Sequence, residues 1–330
     1  MATLTDELAG EHRALTQGCG LIDRSERGKL ALTGSEARSF LAGQVTNDTL
    51  GLAPGTGCYA AFLTPKGKML GDLRVLAAED GEPDPARAGA EARGELLLDT
   101  ERVTLQALFD LVRRFKIGYD VELHKRTVQR GLLSLIGPRA REIAGAQDLP
   151  TDEHSHRASE IDGRAVRVIA TDGGIDVLCD AGDTDAIRDA LQRAGATPVC
   201  EQATEIVRVE RGRPRYGFDL DDTTIPQEAG LNERAVSFTK GCYVGQETVA
   251  RLYYRGKPNR HLRGLRLSEH APAGTPLHLG ERAIGRLTSS VVSPAHGPIA
   301  LAIVRREATV GDTLELDGGA TAEVVEPPFG

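Results

Sequence analysis

The chain has 330 residues, and its 40 lysines and arginines against 48 aspartates and glutamates give a formal net charge of -8. Hydrophobic residues make up 40% of the chain and charged residues 27%, values typical of a globular protein rather than a disordered or fibrous one. The length suits two or three packed units, and the acidic total argues against a protein that coats nucleic acid.

The first half of the chain predicts strands and helices in alternation. Residues 29–42 predict a strand, a turn and a short helix, and residues 59–77 predict a hairpin. Residues 78–95 hold few large apolar side chains and many turn formers, so a solvated, mobile loop is expected there. Apolar residues at helical spacing predict a helix over 105–115.

From residue 131 the alternation of strands and helices restarts, which predicts a second α/β unit. Its main predicted segments are strands at 164–170 and 175–180 and helices at 184–194 and 201–211. Residues 262–325 read as short strands separated by Gly, Pro and Asp turns, which indicates a small β-barrel. The predicted fold class is therefore α+β, with an α/β unit built twice and followed by a barrel.

The cysteines are odd in number and widely spaced, with no Cys-x-x-Cys pair, and no signal peptide is recognisable at the start of the sequence. They are Cys19, Cys58, Cys179, Cys200 and Cys242. We therefore expect no disulfide framework and a reducing, cytoplasmic location. No window approaches eighteen consecutive apolar residues, so neither a membrane span nor a membrane partner is predicted.

Two histidines, His154 and His156, lie two positions apart in a segment rich in polar residues. Because no further ligands are clear, a solvated turn is preferred to a metal site, and no resident metal ion is predicted. The sequence also lacks G-x-x-x-x-G-K-[ST] and a strand followed by G-x-G-x-x-G and a helix. Both nucleotide hydrolysis and hydride transfer are therefore disfavoured.

The most unusual stretch is 240–263, KGCYVGQETVARLYYRGKPNRHLR, which carries a formal charge of +5 and three of the six tyrosines. Cations interleaved with planar rings suit an anionic ligand that contains a flat ring system. The alternative is a solvated connector in front of the barrel, and the charge run alone favours that alternative.

The first eight residues of this stretch combine two glycines, a lysine, a thiol and a Gln-Glu pair. Glycines allow the backbone to approach a ligand closely. A cation at Lys240 is expected to favour the thiolate form of Cys242, whereas the alternative reading makes Cys242 a small buried residue.

K-G-C-Y-V-G-Q-E resembles the signature of the YgfZ-type folate-binding proteins, which include mitochondrial factors needed for maturing 4Fe–4S enzymes. These proteins belong to the superfamily of the glycine-cleavage T-protein, a tetrahydrofolate-dependent aminomethyltransferase. Further segments resemble the family in the same order along the chain. They are FLAGQVTND at 40–48, KGKMLGDLR at 66–74, VERG at 209–212, IPQE at 225–228 and TVARLYYRG at 248–256.

The resemblance implies two α/β subdomains around a folate cleft, at approximately 1–130 and 131–256, and a barrel at 257–330. It implies tetrahydrofolate or a one-carbon derivative as the ligand. It also implies folate, together with iron–sulfur enzymes or cluster-assembly proteins, as the partners of the chain.

The resemblance further assigns roles to residues. Glu210 matches the glutamate that holds the aminopyrimidine edge of the pterin in the transferases, a role that suits a carboxylate. Asp72 matches one of two aspartates in the transferase hairpin, and Gly71 replaces the other, which argues against one-carbon transfer. The remaining cofactor-binding residues that the resemblance implies are Thr46, Asn47, Tyr243, Gln246 and Arg251.

Cys242 stands where the transferases have an acidic residue, so a fixed charge is replaced by a soft nucleophile. One thiol cannot hold a cubane cluster, which normally takes four cysteines. The leading hypothesis is therefore a tetrahydrofolate-binding accessory protein for assembly or repair of iron–sulfur enzymes, with Lys240, Cys242 and Asp72 as its acting residues. The alternatives are a folate-dependent one-carbon transferase and a scaffold with a vestigial cleft.

Overall fold

A computed structural model describes residues 5–78 and 94–330, so most of the loop predicted at 78–95 lies outside the described residues. The helices are α1 (Asp6–Gln17), α2 (Ala37–Ala42), α3 (Leu105–Phe115), α4 (Ala140–Ile143), α5 (Thr184–Arg193), α6 (Glu201–Glu210), α7 (Asn232–Ala235) and α8 (Gln246–Arg255). The strands are β1 (Gly20–Asp23), β2 (Gly28–Thr33), β3 (Gly57–Leu63), β4 (Met69–Ala78), β5 (Glu95–Thr100), β6 (Glu122–Lys125), β7 (Arg130–Ile136), β8 (His156–Ile161), β9 (Arg164–Thr171), β10 (Gly174–Asp180), β11 (Thr197–Pro198), β12 (Arg260–Leu267), β13 (Pro276–Leu279), β14 (Arg282–Ser293), β15 (Gly297–Arg305), β16 (Thr313–Leu316) and β17 (Thr321–Val325).

The first α/β unit is a five-stranded antiparallel sheet in the order β3-β4-β5-β2-β6. Because side chains alternate between the two faces of a strand, Leu73 and Val75 of β4 point to one face and Asp72 and Arg74 to the other. The apolar face packs on α2 and α3. The strand, turn and helix, the hairpin and the helix predicted in this part of the chain are confirmed.

The second unit is a six-stranded sheet in the order β11-β1-β7-β10-β9-β8, covered by α4 and α5. β1 pairs with β7 in antiparallel fashion and with β11 in parallel, so residues 5–23 belong to this unit and not to the first. The predicted division near residue 130 therefore differs from the structure in one respect, because the N-terminal segment contributes a strand to the second sheet. Local sequence pattern does not encode such a long-range pairing.

The C-terminal unit is a closed barrel in the order β12-β15-β14-β13-β16-β17, filled by residues such as Leu265, Leu287 and Val324. Helix α6 contacts α1 on one side and β14 and β15 of the barrel on the other, and so ties the barrel to the second unit. The predicted fold class, two α/β units followed by a β-barrel, is confirmed. No helix in the described ranges has the length and apolar character needed to cross a bilayer.

Candidate functional site

A cavity of about 280 Å³ lies between the two α/β units and is bounded on a third side by α6 and the loop that follows it. We call it the central pocket. Eight arginines and seven carboxylates line it, together with tyrosine, histidine, serine and threonine side chains. Such a lining suits a polar ligand that carries negative charge, because the arginines offer donors in excess of the carboxylates.

Asp72 of β4 lies in this pocket with 5% of its surface exposed. The Tyr59 hydroxyl donates a hydrogen bond of 2.6 Å to Oδ2 of Asp72. Burial raises the pKa of Asp72 to about 6, an effect that the hydrogen bond from Tyr59 only partly opposes. The carboxyl group can therefore both hold and release a proton near neutral pH.

Gly71, the neighbour of Asp72, faces the packed side of the sheet. A Cβ atom at Gly71 would lie 2.6 Å from Cζ of Phe62 and 2.7 Å from Cγ2 of Thr104, so no larger residue fits without repacking. The position at which the transferases carry their other aspartate thus points away from the central pocket. Its replacement by glycine leaves the carboxylate of Asp72 in place.

Ion pairs connect the two sheets around the pocket. Arg74 of β4 donates to Asp99 at 2.9 Å and to Asp176 of the second unit at 2.7 Å. Arg234 of α7 lies 4.3 Å above the centre of the Tyr59 ring and makes a two-pronged ion pair with Glu153. The sequence analysis did not predict these ion pairs, because charged residues on a strand are ordinarily expected to face solvent.

Thr46 and Asn47 position the pocket rather than line it. The hydroxyl of Thr46 is buried and donates to the carbonyl of Ala235 at 2.6 Å. The side-chain amide of Asn47 donates to the carbonyls of Tyr59 and Arg234, at 2.8 and 3.3 Å. Both residues therefore fix helix α7, which carries Arg234, against strand β3.

Lys240 is anchored by the turn that follows α2. Its Nζ donates to the carbonyl oxygens of Ala42, Val45 and Asn47, at 2.6, 2.8 and 2.8 Å. These bonds use all three N–H groups of the ammonium and satisfy carbonyls at and beyond the end of the helix. Burial lowers the pKa of Lys240 to about 8, an effect that the charge of Asp48 opposes.

The expected pairing of Lys240 with Cys242 does not match this geometry. The cysteine that interacts electrostatically with Lys240 is Cys58. Burial outweighs this interaction and raises the pKa of Cys58 to about 12. Cys242 is exposed, which excludes the reading of it as a small buried residue. Lys240 therefore stabilises the backbone of residues 42–47, and its ammonium group is fully hydrogen-bonded there.

The loop around Cys242 is held on both of its sides. The side chain of Tyr243 is buried in a cluster with Met69 and Val249, and burial raises its pKa to about 12. Gly245 has φ +86°, and a Cβ there would lie 2.7 Å from the carbonyl oxygen of Thr64. The loop thus presses on the turn of the β3–β4 hairpin and presents Cys242 to solvent.

Residues 246–255 form α8, which replaces the connector that the charge run favoured. Gln246 is half-buried at its first position, and Arg251 is exposed. Tyr253 stacks on Phe238 at 3.7 Å between ring centres, although half of its surface is exposed. Neither Gln246 nor Arg251 lines the central pocket.

Glu210 also lies outside the lining of the central pocket. Its carboxylate contacts Nε2 of His12 at 2.9 Å and accepts a bond of 2.5 Å from the hydroxyl of Ser293. The carboxylate of α6 that lines the pocket is Glu205, which pairs with Arg208. Five positions along a helix turn the side chain by roughly 140°, so the two glutamates face different neighbours. Glu210 thus contacts α1 and the barrel, and its role towards the pterin stays a prediction.

The interpretation of His154 and His156 as a solvated turn is wrong, since both side chains are buried. His154 lines the central pocket, and His156 bonds to the backbone of the first unit at the carbonyl of Thr56. No cluster of three or more His, Cys, Asp or Glu side chains fit to hold a metal ion occurs in residues 5–78 and 94–330.

The family described as the GCVT N-terminal domain matches residues 2–240, and the glycine cleavage T-protein C-terminal barrel domain matches residues 260–329. The chain belongs to the glycine cleavage T-protein family. A chloroplastic protein of Arabidopsis thaliana named "putative transferase" is 27% identical over 329 residues, which cover 96% of this chain and 72% of that protein.

The crystal structure of the glycine cleavage system aminomethyltransferase T from Bartonella henselae superposes with a TM-score of 0.83 at 23% identity. The match covers 98% of this chain and 89% of that one. This likeness shows that the two chains share a fold. Membership of the T-protein family is consistent with folate binding or one-carbon transfer.

Proposed function

We propose that the protein binds tetrahydrofolate, or a one-carbon derivative of it, in the central pocket. The observation that carries this proposal is the buried carboxyl of Asp72, which Tyr59 hydrogen-bonds and whose pKa burial raises to about 6. Reduced folate combines a flat ring that offers N–H donors and acceptors with an anionic tail. The carboxyl suits the ring nitrogens, and the arginines of the pocket suit the tail.

When bound, tetrahydrofolate supplies nitrogens that can carry a one-carbon group. The chain's own contribution is to orient the ligand and to hold or release a proton at Asp72. Arg74 joins the two sheets through its ion pair with Asp176, and Arg234 joins α7 to the segment before β8 through its ion pair with Glu153, so both help to hold the walls of the pocket together.

Folate binding is tested by titrating the protein with tetrahydrofolate in a calorimeter. We expect one site per chain and at least about tenfold weaker binding for Asp72→Asn, because the variant loses the ionisable group and keeps its shape. Absence of heat and of any change in melting temperature at saturating tetrahydrofolate would instead support the scaffold with a vestigial cleft.

We further propose that the folate-loaded protein is a cytoplasmic accessory factor for the assembly or repair of iron–sulfur enzymes, acting through Cys242. The thiol is exposed, whereas the flanking Tyr243 is buried and Gly245 packs on the hairpin turn. The same hairpin carries Asp72, so the thiol loop and the pocket share one rigid element. A held, solvent-facing thiol suits transient contact with a partner protein.

Cys200 offers a matched control, because it is the other exposed cysteine among the described residues. In cells that lack the native protein, we expect Cys200→Ala to restore aconitase-type activity and Cys242→Ala to fail. Normal iron–sulfur enzyme activities with Cys242→Ala would contradict the accessory role.

A second candidate function is one-carbon transfer between folate and a small N-methyl amine. It is favoured by the position of Asp72 in the pocket and by the position of Gly71 on the packed side of the sheet, away from the pocket wall. Turnover of tetrahydrofolate with such an amine, abolished by Asp72→Asn and retained by Cys242→Ala, would select this function over the accessory role.

A further inference from the structure

The two histidines of the 154–156 segment differ in one respect. His156 has both ring nitrogens bonded: Nε2 lies 3.2 Å from the carbonyl oxygen of Thr56, and Arg167 donates to Nδ1 at 3.0 Å. His154 has both ring nitrogens buried and without a hydrogen-bond partner among residues 5–78 and 94–330. Buried polar atoms without partners are rare in proteins and call for an explanation.

His154 is one of the residues that line the central pocket, with 6% of the residue exposed. Its main chain is fixed in place by a bond of 2.8 Å from its N–H to the carbonyl of Ala170. The residue has φ +73°, a left-handed conformation that costs free energy for any residue other than glycine. A strained residue with an unpaired ring is typical of a functional site and unusual in a structural one.

The strand opposite leaves room for this histidine. Gly57 of β3 faces His154, and a Cβ at Gly57 would lie 2.9 Å from the Cβ of His154 and 2.5 Å from the carbonyl oxygen of Val75. The close approach of the two segments therefore requires glycine at position 57. The first unit thus packs closely against the main chain of His154, although the imidazole ring makes no hydrogen bond to that unit.

The ring is uncharged in these surroundings. Burial, followed by the charge of Arg74, lowers the pKa of His154 to about 3, and Arg234 acts in the same direction against Glu153. Oε1 of Glu153 lies 3.6 Å from Nε2, beyond hydrogen-bond reach. A neutral imidazole presents one donor and one acceptor, whereas the surrounding arginines only donate and the ionised carboxylates only accept.

We propose that His154 is a ligand-contacting residue of the central pocket, whose imidazole hydrogen-bonds to the polar edge of the pterin ring of bound reduced folate. The inference rests on the proposed folate function and deepens it. A pterin edge offers neighbouring N–H and carbonyl or ring-nitrogen groups, which match a neutral donor and acceptor. The anionic tail needs donors only, and the arginines supply those.

The test compares His154→Leu with His156→Leu, since the two residues are equally buried and differ in whether their rings are bonded. For His154→Leu we expect tetrahydrofolate to bind at least about tenfold more weakly, while the melting temperature of ligand-free protein stays within about 2 °C of wild type or rises. For His156→Leu we expect a lower melting temperature and a dissociation constant within about twofold of wild type when measured well below that temperature. His154→Gln, which keeps a donor and an acceptor, should recover part of the affinity.

A spectroscopic readout separates contact from mere support. In protein labelled with ¹⁵N at histidine, the ring-nitrogen signals of His154 are those that wild type shows and His154→Leu lacks. These signals should shift when tetrahydrofolate is added to wild type. Wild-type affinity in His154→Leu, unmoved ring signals, or a loss of melting temperature equal to that of His156→Leu would overturn the role of His154 and leave folate binding standing. Failure of wild-type protein to bind tetrahydrofolate would overturn both.

Discussion

Replacement of Asp72 by Asn removes a buried ionisable group and leaves its shape and its hydrogen bond from Tyr59 in place. Burial raises the pKa of Asp72 from 3.8 to about 6 in the folded protein, so ionising the carboxyl opposes folding. At about 1.4 kcal/mol per pH unit, the difference between the two values amounts to about 3 kcal/mol. The cost is absent below pH 3.8, grows as the pH rises, and is complete above about pH 6.

We therefore expect ligand-free Asp72→Asn to be more stable than wild type by about 3 kcal/mol at pH 7.5 and equally stable near pH 4. Urea unfolding at a series of pH values measures this difference, and calorimetric titration shows whether the gain in stability accompanies a loss of folate affinity. A gain of this kind is the pattern expected when a buried group is kept for function at the expense of stability.

Asp99, on the neighbouring strand, provides a control of opposite sign. It is half-buried, and Arg27 and Arg74 outweigh the effect of burial and hold its pKa below the ordinary range. Asp99→Asn should therefore lower stability at pH 7.5, and this loss should shrink as the pH falls through the acid range. If Asp72→Asn were less stable than wild type at pH 7.5, or if the difference did not change with pH, the account of the pocket carboxyl would be refuted.

Three further substitutions test the assignment of structural roles. Lys240→Met leaves three carbonyls without their donor and should lower the free energy of unfolding in urea by about 3 kcal/mol. The reactivity of Cys242 towards a thiol reagent should change less than twofold. A large change in that reactivity would show that Lys240 does act on Cys242. Gly71→Ala should cost about 1–3 kcal/mol, because its Cβ would meet the ring of Phe62, and unchanged stability would contradict the packing described. Glu210→Gln should reduce stability and alter the dissociation constant of tetrahydrofolate less than twofold, whereas a tenfold loss would return Glu210 to the ligand.

The sequence predicted those elements whose cause is local. Turn formers between apolar runs are enough to indicate the β3–β4 hairpin, and the helical spacing of apolar residues from Leu105 to Phe115 is enough for α3. Helix α8 was missed because the cations of the segment dominate its pattern and Val249 is its only buried residue.

The walls of the pocket were largely beyond sequence reasoning. Arg74 and Asp176 occupy positions that face solvent in an isolated sheet. Arg74 becomes buried and Asp176 half-buried only because the two sheets approach each other. The same holds for His154, whose seat depends on Gly57 from the other unit. By contrast, the family resemblance identified Asp72, since a motif carries information about the site that hydrophobic periodicity does not.

The central claim is that the pocket beside Asp72 and Tyr59 binds a reduced folate. The most direct measurement is the melting temperature of wild-type protein and of Asp72→Asn over a series of tetrahydrofolate concentrations, with affinities from calorimetry. At a hundred times its dissociation constant, tetrahydrofolate should stabilise wild type by about 2.7 kcal/mol and raise its melting temperature by several degrees, with a much smaller rise in the variant at the same concentration. A melting temperature that does not respond to tetrahydrofolate in wild type, or that responds equally in both proteins, would contradict the claim.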